Sequence, residues 1–388
     1  MLIENSLDEV KRRENSLKII KSIIDNYGRE DLYDFTGLSG GFLATVHDLN
    51  LLETYVGPAI FEEKLQKLGK AHLGGEKIFP VNRTSSGILA TILALVNENS
   101  YLIHFVPELP SHPSIPRSCK LKNGNYIEFD DISKFYTPEN TSLIIITGAT
   151  MDHKVIEEEV FEKIIAIAKE EKIPVLVDDA SGARLRTAIY KQKKATELGA
   201  DLVVTSTDKL MIGPRGGLMA GKTDLINEIK ACANKFGLEA QPPSIVAMVK
   251  GLESYNENDL LNSIEKRNEL INLVKNDFKM FEESPTGVMV SESALNDEVA
   301  SHKIDTNFSP HDLCFLWAMI LLKEEHIITI PAVAMPGAST TVRFDLASKD
   351  ALKLDLATLH EKIKNSFQSL LKVATDEEIA KNILFDYK

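Results

Sequence analysis

The sequence is poor in cysteine, in basic residues and in long apolar runs, and each shortage excludes a class of protein. Three cysteines occur among 388 residues, without paired spacing, which excludes a disulfide scaffold and a cysteine-rich zinc site and fits a reducing compartment. There is no run of about 18 apolar residues, and the first residues lack an uninterrupted apolar stretch, so neither a membrane span nor a signal peptide is predicted. We therefore expect a cytoplasmic protein without a membrane partner.

Acidic residues outnumber basic ones. The chain has 57 Asp and Glu against 44 Lys and Arg, which gives a formal charge of −13 at pH 7. This excess argues against broad binding of nucleic acids, although it does not exclude a local basic groove. The hydrophobic share of 44% and the charged share of 26% are those of a globular protein. A chain of this length predicts two or three domains with a large buried core.

From about residue 78, short apolar runs alternate with helical stretches. Strands are predicted near 101–106, 143–147, 174–178, 202–206 and 217–220, with helices near 86–98, 155–171 and 187–198. Continuous apolar strands separated by helices are typical of βαβ units whose sheet is covered on both faces. We therefore expect an α/β fold with a mostly parallel sheet.

The pattern changes after residue 250. It predicts one long charged helix over 256–283, an apolar helix that begins at Pro310, strands near 326–330 and 341–344, and a terminal helix over 349–373. These elements indicate a smaller C-terminal α+β domain. The expected division is an N-terminal helical segment over 1–70, a large domain over 71–250 and a small domain over 251–388.

The most informative segment is STDKLMIGPRGG at 206–217, which follows a predicted buried strand and contains Lys209. A lysine just past the end of a parallel strand lies where open α/β sheets bind ligands. The glycines that follow allow close approach of the backbone and a tight turn. A surface lysine in a turn is the ordinary explanation of a lone lysine, and the neighbouring motifs are what favour a functional one.

Asp178 ends the predicted apolar strand at 174–178. A carboxylate at such a position is costly unless it is paired. Asp178 precedes Lys209 by one βαβ step, so both are expected at the carboxyl ends of strands in one sheet. A helix N-cap or a structural ion pair remains the alternative for Asp178.

Ser85, Ser86 and Gly87 begin a predicted helix, where free N–H groups and the helix dipole can bind a phosphate, although serine is also an ordinary N-cap. Together with Lys209 and Asp178 they describe a site for pyridoxal 5'-phosphate (PLP), which needs an amine for a Schiff base, an acid at its ring nitrogen and a phosphate cradle. The amine would come from Lys209. An acid at Asp178 would favour the protonated ring nitrogen, and the hydroxyl of Ser206 is a further candidate for the phosphate.

These motifs resemble those of fold-type-I PLP enzymes. The lysine segment is most similar to that of selenocysteine synthase, the bacterial L-seryl-tRNA(Sec) selenium transferase, through Asp-Lys-Leu at 208–210 and the Gly-Pro pair at 213–214 with its following glycines. The chain also resembles a group of archaeal homologues of that enzyme whose function is unassigned. The resemblance covers about 70–350 and implies a PLP-dependent transferase fold with a homodimer or a larger homo-oligomer.

The resemblance implies further site residues. His112 lies where such enzymes stack a ring on the cofactor, and Thr147 could reach its phenolic oxygen; a surface-loop histidine and turn chemistry are the alternatives. Arg343 resembles the arginine that clamps a substrate carboxylate, with an ion pair to Asp345 as the alternative. Arg215, where the bacterial enzyme tends to have a smaller polar residue, could bind an anionic group. No metal site is predicted.

The resemblance implies a PLP-dependent transferase or lyase that acts on an amino acid or its derivative, with β-elimination or β-replacement as the expected reaction. The segment before residue 75 does not resemble a tRNA-gripping domain, and the net charge is negative. Both features favour a small free substrate over aminoacyl-tRNA. A selenocysteine synthase-like transferase that uses aminoacyl-tRNA, or a non-catalytic PLP-binding protein, is the alternative.

Overall fold

A computed structural model describes residues 1–38 and 40–386 and divides the chain into two compact units. The larger unit covers 39–257, and the other combines 1–38 with 258–388. The sequence suggested a separate N-terminal segment over 1–70, whereas the structure clusters the first 38 residues with the C-terminal part. The reason is burial, because Ile19 and Ile23 belong to the same apolar core as Trp317.

The helices of the described residues are numbered α1 to α16. In chain order they are Ser6–Tyr27, Val46–Leu49, Val56–Leu73, Thr84–Leu95, Ser114–Leu121, Glu158–Glu171, Gly182–Arg184, Ala195–Leu198, Thr223–Phe236, Pro242–Ser254, Glu257–Val274, Glu292–Ser301, Pro310–Glu325, Ile330–Val333, Leu356–Val373 and Glu377–Phe385. A π-helical turn, Leu185–Ile189, continues α7. Among these described segments, none is long and apolar enough to cross a membrane.

The strands are numbered β1 to β12 in the same way. They are Tyr33–Asp34, Lys77–Val81, Tyr101–Phe105, Asn125–Phe129, Thr141–Thr147, Val175–Asp178, Leu202–Ser206, Gly217–Gly221, Glu282–Ser284, Gly287–Val290, Ile327–Ile328 and Val342–Asp345. The larger unit contains a sheet of order β2-β8-β7-β6-β5-β3-β4. In this sheet β8 runs opposite to the other six strands, so the expected mostly parallel sheet is confirmed.

The central sheet is covered on both faces. One face packs against α3, α6 and α10, and the other packs against α4, α5 and α9. The strands β5 to β7 are apolar on both faces because both are buried, which explains why their sequences show no alternation. The expected α/β class with a smaller C-terminal unit is therefore confirmed.

The smaller unit has a three-stranded antiparallel sheet of order β12-β10-β9 and a parallel pair of β1 with β11. Its central helix is α13, whose side chains are almost all buried from Asp312 to Leu322. Ser309 and Asp312 form a capping box, and Pro310 occupies the first turn, so the predicted start of this helix is confirmed.

Three predicted helices were wrong in extent. The terminal helix expected over 349–373 begins at Leu356, after a separate 3-10 turn at Lys349–Leu352. The helix expected over 256–283 ends at Val274, because a turn follows it and Phe278, Met280 and Phe281 enter the core before and beside β9. The helix expected over 187–198 is replaced by the π-helical turn and the short α8. The structure also contains β2, β4, α9 and α10, which the sequence pattern did not predict.

Candidate active site

Three neighbouring strands bring candidate residues to one edge of the central sheet. Thr147 of β5 is in register with Asp178 of β6, which is in register with Val204 of β7. Because side chains alternate between the two faces of a strand, in-register residues lie on the same face. Thr147, Asp178 and Ser206 therefore share the face covered by α4 and α9. They stand at the carboxyl ends of parallel strands, where α/β sheets bind ligands.

Asp178 carries a carboxylate that lacks one hydrogen-bond donor. Its Oδ1 is enclosed and has no hydrogen-bond partner, while the backbone N–H of Ala180 contributes a hydrogen bond to the carboxylate. Burial raises the pKa of Asp178 to about 6, and the charge of Lys209 opposes part of this rise. An enclosed carboxylate oxygen without a donor is costly. The site is therefore built to receive a donor at this atom.

Lys209 lies half-buried in the loop between β7 and β8. Its positive charge lowers the pKa of both Asp178 and His112, so the loop holds the amine close to both side chains. The predicted grouping of Lys209 with Asp178 in one unit at the end of one sheet is what the structure shows. The chemical role of each residue stays a prediction.

The backbone around Lys209 is held by its neighbours. The N–H of Thr207 donates to the carbonyl of Gly216 at 3.0 Å, and its hydroxyl donates to the carbonyl of Pro214 at 2.7 Å. The hydroxyl of Ser206 donates to the carboxylate of Asp208. These contacts close the loop into a fixed turn, and they commit the Ser206 proton to Asp208.

The N-terminus of α4 lies against the start of β8. A Cβ atom on Gly217 would lie 2.7 Å from the backbone N of Thr84, so only glycine allows this approach. No side chain caps this helix end, and Ser85 and Ser86 are half-buried in its first turn. Gly87 is buried and packs on Met219, so its absent side chain serves helix-to-sheet packing.

His112 lies in the exposed loop before α5, with Nδ1 2.7 Å from Oγ of Ser114. Desolvation and the nearby cations Lys209, Arg83 and Arg117 lower the pKa of His112 to about 4. The ring is therefore neutral at pH 7. Three cationic side chains, Lys209, Arg83 and Arg117, thus converge on His112 in a chain that carries a net charge of −13.

Arg184 was missed from the sequence, and its guanidinium joins the ends of β6 and β7. Its Nη2 donates to the carbonyls of Ala180 at 2.7 Å and Ser206 at 2.6 Å, and its Nη1 lies 3.1 Å from Nε2 of His72. Arg184 thereby ties the segment after Asp178 to the segment before Lys209. An arginine six residues after a strand carries no visible signal, because its partners include backbone carbonyls that only folding brings together.

A second missed group is the polar chain that joins Glu128, Tyr126, His104 and Thr147. His104 is fully buried in the middle of the apolar strand β3. A histidine inside such a run was the one available signal, since a buried polar side chain requires partners. The partners lie 22 and 43 residues further along the chain.

Arg343 belongs to the smaller unit, where it is buried on β12. Its Nε lies 3.6 Å from Oδ2 of Asp345, and its Nη2 donates to the carbonyl of Thr36 at 3.4 Å. The ion pair that the sequence left open is therefore present. Arg215 is exposed in the loop that contains Lys209. The substrate-binding roles of Arg343 and Arg215 stay predictions.

The residues of the larger unit fit PLP. The ring N–H of the cofactor would supply the donor that Oδ1 of Asp178 lacks, and the uncapped N-terminus of α4 offers N–H groups to its phosphate. Lys209 supplies a primary amine in the same region. An acid, an amine and an anion site are the three groups that this cofactor requires.

Comparison with known proteins agrees with this fit. Residues 111–304 match the family model of beta-eliminating lyases, and residues 277–355 match the UPF0425 C-terminal domain. A UPF0425 pyridoxal phosphate-dependent protein of Methanothermobacter thermautotrophicus is 48% identical over 99% of this chain and 100% of its own length.

More distant relatives cover less or share the fold alone. An L-seryl-tRNA(Sec) selenium transferase of Carboxydothermus hydrogenoformans is 28% identical over 36% of this chain and 32% of its own length. The structure of N-succinyldiaminopimelate aminotransferase from Mycobacterium tuberculosis matches with a TM-score of 0.57 at 14% identity, over 92% of this chain and 96% of the other. The expected transferase fold and the resemblance to selenocysteine synthase and its archaeal homologues are confirmed. The protein is a PLP-dependent enzyme, and it belongs to the UPF0425 family of pyridoxal phosphate-dependent proteins.

Proposed function

We propose that the protein is a lyase or transferase that eliminates or replaces a β-substituent of a small amino acid, with Lys209 as the attachment point of PLP. The observation that carries the proposal is the enclosed Oδ1 of Asp178, which lacks a donor and lies within the field of the Lys209 amine. The match to the beta-eliminating lyase model supports the reaction type.

The chain's own groups have distinct tasks in this proposal. When bound, PLP supplies an electron sink for a carbanion at the substrate α-carbon. Asp178 is ionised at neutral pH, since its pKa is about 6, and holds the proton at the ring nitrogen. The amine of Lys209 would first hold the cofactor covalently. Once released, it would move the proton at the substrate α-carbon as a general acid and base. The neutral ring of His112 is available to stack on the cofactor.

A small free substrate is favoured over aminoacyl-tRNA. The likeness to the selenium transferase covers 36% of this chain, which supports a tRNA-linked substrate as the second candidate. Against it stands the net charge of −13, because binding of a phosphate backbone depends on basic side chains. The basic side chains near His112 suit one anionic group better than an extended polyanion.

The attachment point is tested by borohydride reduction of the cofactor-loaded protein, followed by peptide mapping. The phosphopyridoxyl mass is expected on Lys209 and lost in Lys209→Ala, while the exposed-lysine control Lys235→Ala keeps it. A label on another lysine, or no label, contradicts the proposal.

The substrate class is tested by following the absorbance of the bound cofactor while free amino acids, seryl-tRNA and phosphoseryl-tRNA are added. A change with a free amino acid that carries a β-leaving group, together with release of that group, is expected. A change with charged tRNA alone would favour the second candidate. The absence of any change with every amine would favour a binding protein without catalysis.

We also propose a homodimer. Several large apolar side chains of one segment of the larger unit are exposed, among them Phe42 at 58%, Val46 at 78% and Tyr55 at 88%. Exposed large apolar side chains concentrated in this way are typical of interaction surfaces, and most soluble oligomers are symmetric homo-oligomers.

A further inference from the structure

We propose that Tyr126 and His104 are positioning residues of the cofactor site, which hold the Ser111–His112 loop and the hydroxyl of Thr147 in one hydrogen-bond chain of fixed proton direction. The role of the two ends of this chain rests on the proposed function. The series of hydrogen bonds itself is defined by contacts within the larger unit alone. It crosses three adjacent strands, β4, β3 and β5, on the face that also bears Asp178.

The chain consists of four short contacts centred on Tyr126. Its hydroxyl donates to Oε2 of Glu128 at 2.7 Å and lies 2.8 Å from both Nδ1 of His104 and Oγ of Ser111. On the other side of the ring, Nε2 of His104 lies 2.8 Å from Oγ1 of Thr147. Each distance is that of a well-formed hydrogen bond.

The direction of the protons follows from the number of donors. Tyr126 has one proton, which goes to the carboxylate of Glu128. Burial and the neighbouring Glu128 raise the pKa of Tyr126, so the phenol keeps that proton. Its oxygen must then accept from both remaining neighbours. Nδ1 of His104 and the hydroxyl of Ser111 are therefore donors.

The second half of the chain follows from the charge of His104. Its ring is fully buried, and burial is the main cause that lowers the pKa of His104 to about 3. A neutral ring carries one proton, which Nδ1 already holds, so Nε2 accepts from the hydroxyl of Thr147. Thr147 thus directs its proton away from the cofactor site and can only accept a hydrogen bond there.

This arrangement has a consequence for Asp178. Its in-register neighbour on β5 is Thr147, whose proton is committed to His104. The Thr147 hydroxyl therefore cannot donate to the carboxylate, and Oδ1 of Asp178 stays open for the ring nitrogen of the cofactor. At the other end, the hydrogen bond from Ser111 to Tyr126 fixes the residue directly before His112. One buried tyrosine and one buried histidine thereby position two contacts of the cofactor.

The proton direction is measured by ¹⁵N NMR of protein labelled at its nine histidines, in both cofactor-free and cofactor-loaded form. The His104 signals are assigned by their absence in His104→Gln. The expected spectrum is that of a neutral ring protonated at Nδ1, unchanged between about pH 5.5 and 8, the range in which an ordinary histidine titrates. Protonation at Nε2, or titration in this range, would overturn the proposal. This test does not depend on Lys209, so its failure is distinct from failure of the proposed function.

The positioning role is measured as cofactor affinity and as the pH dependence of the bound cofactor's absorbance. Tyr126→Phe removes the central hydroxyl and leaves buried donors unpaired, so affinity is expected to fall about fivefold to a hundredfold and the absorbance profile to shift along the pH axis. Tyr136→Phe is the matched control, because Tyr136 is 56% exposed and keeps its ring contact with Phe129. Equal affinity and equal profiles for the two variants would overturn the role.

A conservative replacement separates positioning from general damage. The amide of His104→Gln can accept from Thr147 near the place of Nε2, whereas His104→Phe cannot. The glutamine variant is therefore expected to retain more of the cofactor affinity than the phenylalanine variant. If the phenylalanine variant does not fold, the tyrosine pair and the NMR measurement still decide. Equal losses in both histidine variants, with equal pH profiles, would contradict the proposed link to Thr147.

Discussion

Asp178 is expected to destabilise the cofactor-free protein at neutral pH. Burial raises the pKa of Asp178 from 3.8 to about 6. Below the unfolded value the carboxyl is protonated in both states and contributes nothing. As the pH rises through the two values, the unfolded chain loses its proton first, so the stability of the folded state falls. Above about pH 6 the full difference of about two pKa units remains, which corresponds to about 3 kcal/mol.

Asp178→Asn removes this ionisation. Without cofactor, the variant is expected to be more stable than the native protein at about pH 8, by up to about 3 kcal/mol, and the advantage should shrink towards about pH 5. Urea denaturation at the two pH values measures the free energy of unfolding of each protein. Asp297→Asn, at an exposed site on α12, removes the same charge and is the matched control.

In the presence of PLP, the same substitution is expected to lower the activity of the enzyme. The amide cannot carry the negative charge that keeps the ring nitrogen protonated, so turnover is expected to fall severely while the cofactor remains bound. A cofactor-free variant that is less stable than the native protein at pH 8, or a difference that does not depend on pH, would refute the reasoning. Unchanged turnover would remove Asp178 from its proposed role.

Three further predictions concern other parts of the molecule. Arg186→Met leaves the buried carboxylate of Asp179 without its partner at 2.6 Å and is expected to cost about 3–5 kcal/mol in urea denaturation, whereas a loss below about 1 kcal/mol would contradict it. The hydrogen bond to Glu292 raises the pKa of His311, so this pair stabilises the protein at low pH and less as the pH rises through the raised value; thermal unfolding of His311→Gln should therefore differ from that of the native protein more at about pH 5 than at about pH 8. If the proposed homodimer uses the exposed apolar side chains near Tyr55, the Tyr55→Glu variant is expected to have a smaller mass by light scattering than the native protein; equal masses would contradict the use of this surface.

Prediction from the sequence worked best for segments whose residues all share one environment, such as burial on both faces. The strands β5, β6 and β7 were found because burial on both faces makes them continuously apolar. Prediction failed for segments whose environment depends on distant parts of the chain. Strand β4 is one of the two edge strands of the sheet, and its residues are half-buried or exposed, so no apolar run marks it.

The site divides in the same way. Lys209 and Asp178 stood out because each follows an apolar strand, and the α/β pattern places such positions at one edge of a sheet. His104 and Arg184 did not stand out, because a buried histidine and a buried arginine are explained only by their partners. The distant partners include the side chains of Tyr126 and Thr147 and the carbonyl of Ser206, which lie 22 to 43 residues away in the chain.

The sequence by itself determined the fold class and the two residues on which the proposed chemistry depends, since both follow from local patterns of burial and strand ends. Only the tertiary structure decided which strands are neighbours, and therefore that Thr147 stands beside Asp178. It also decided that one oxygen of Asp178 lacks a donor and that the pKa of this carboxyl is raised. The physical reason is that desolvation and hydrogen-bond pairing depend on atoms that meet only when distant segments pack together.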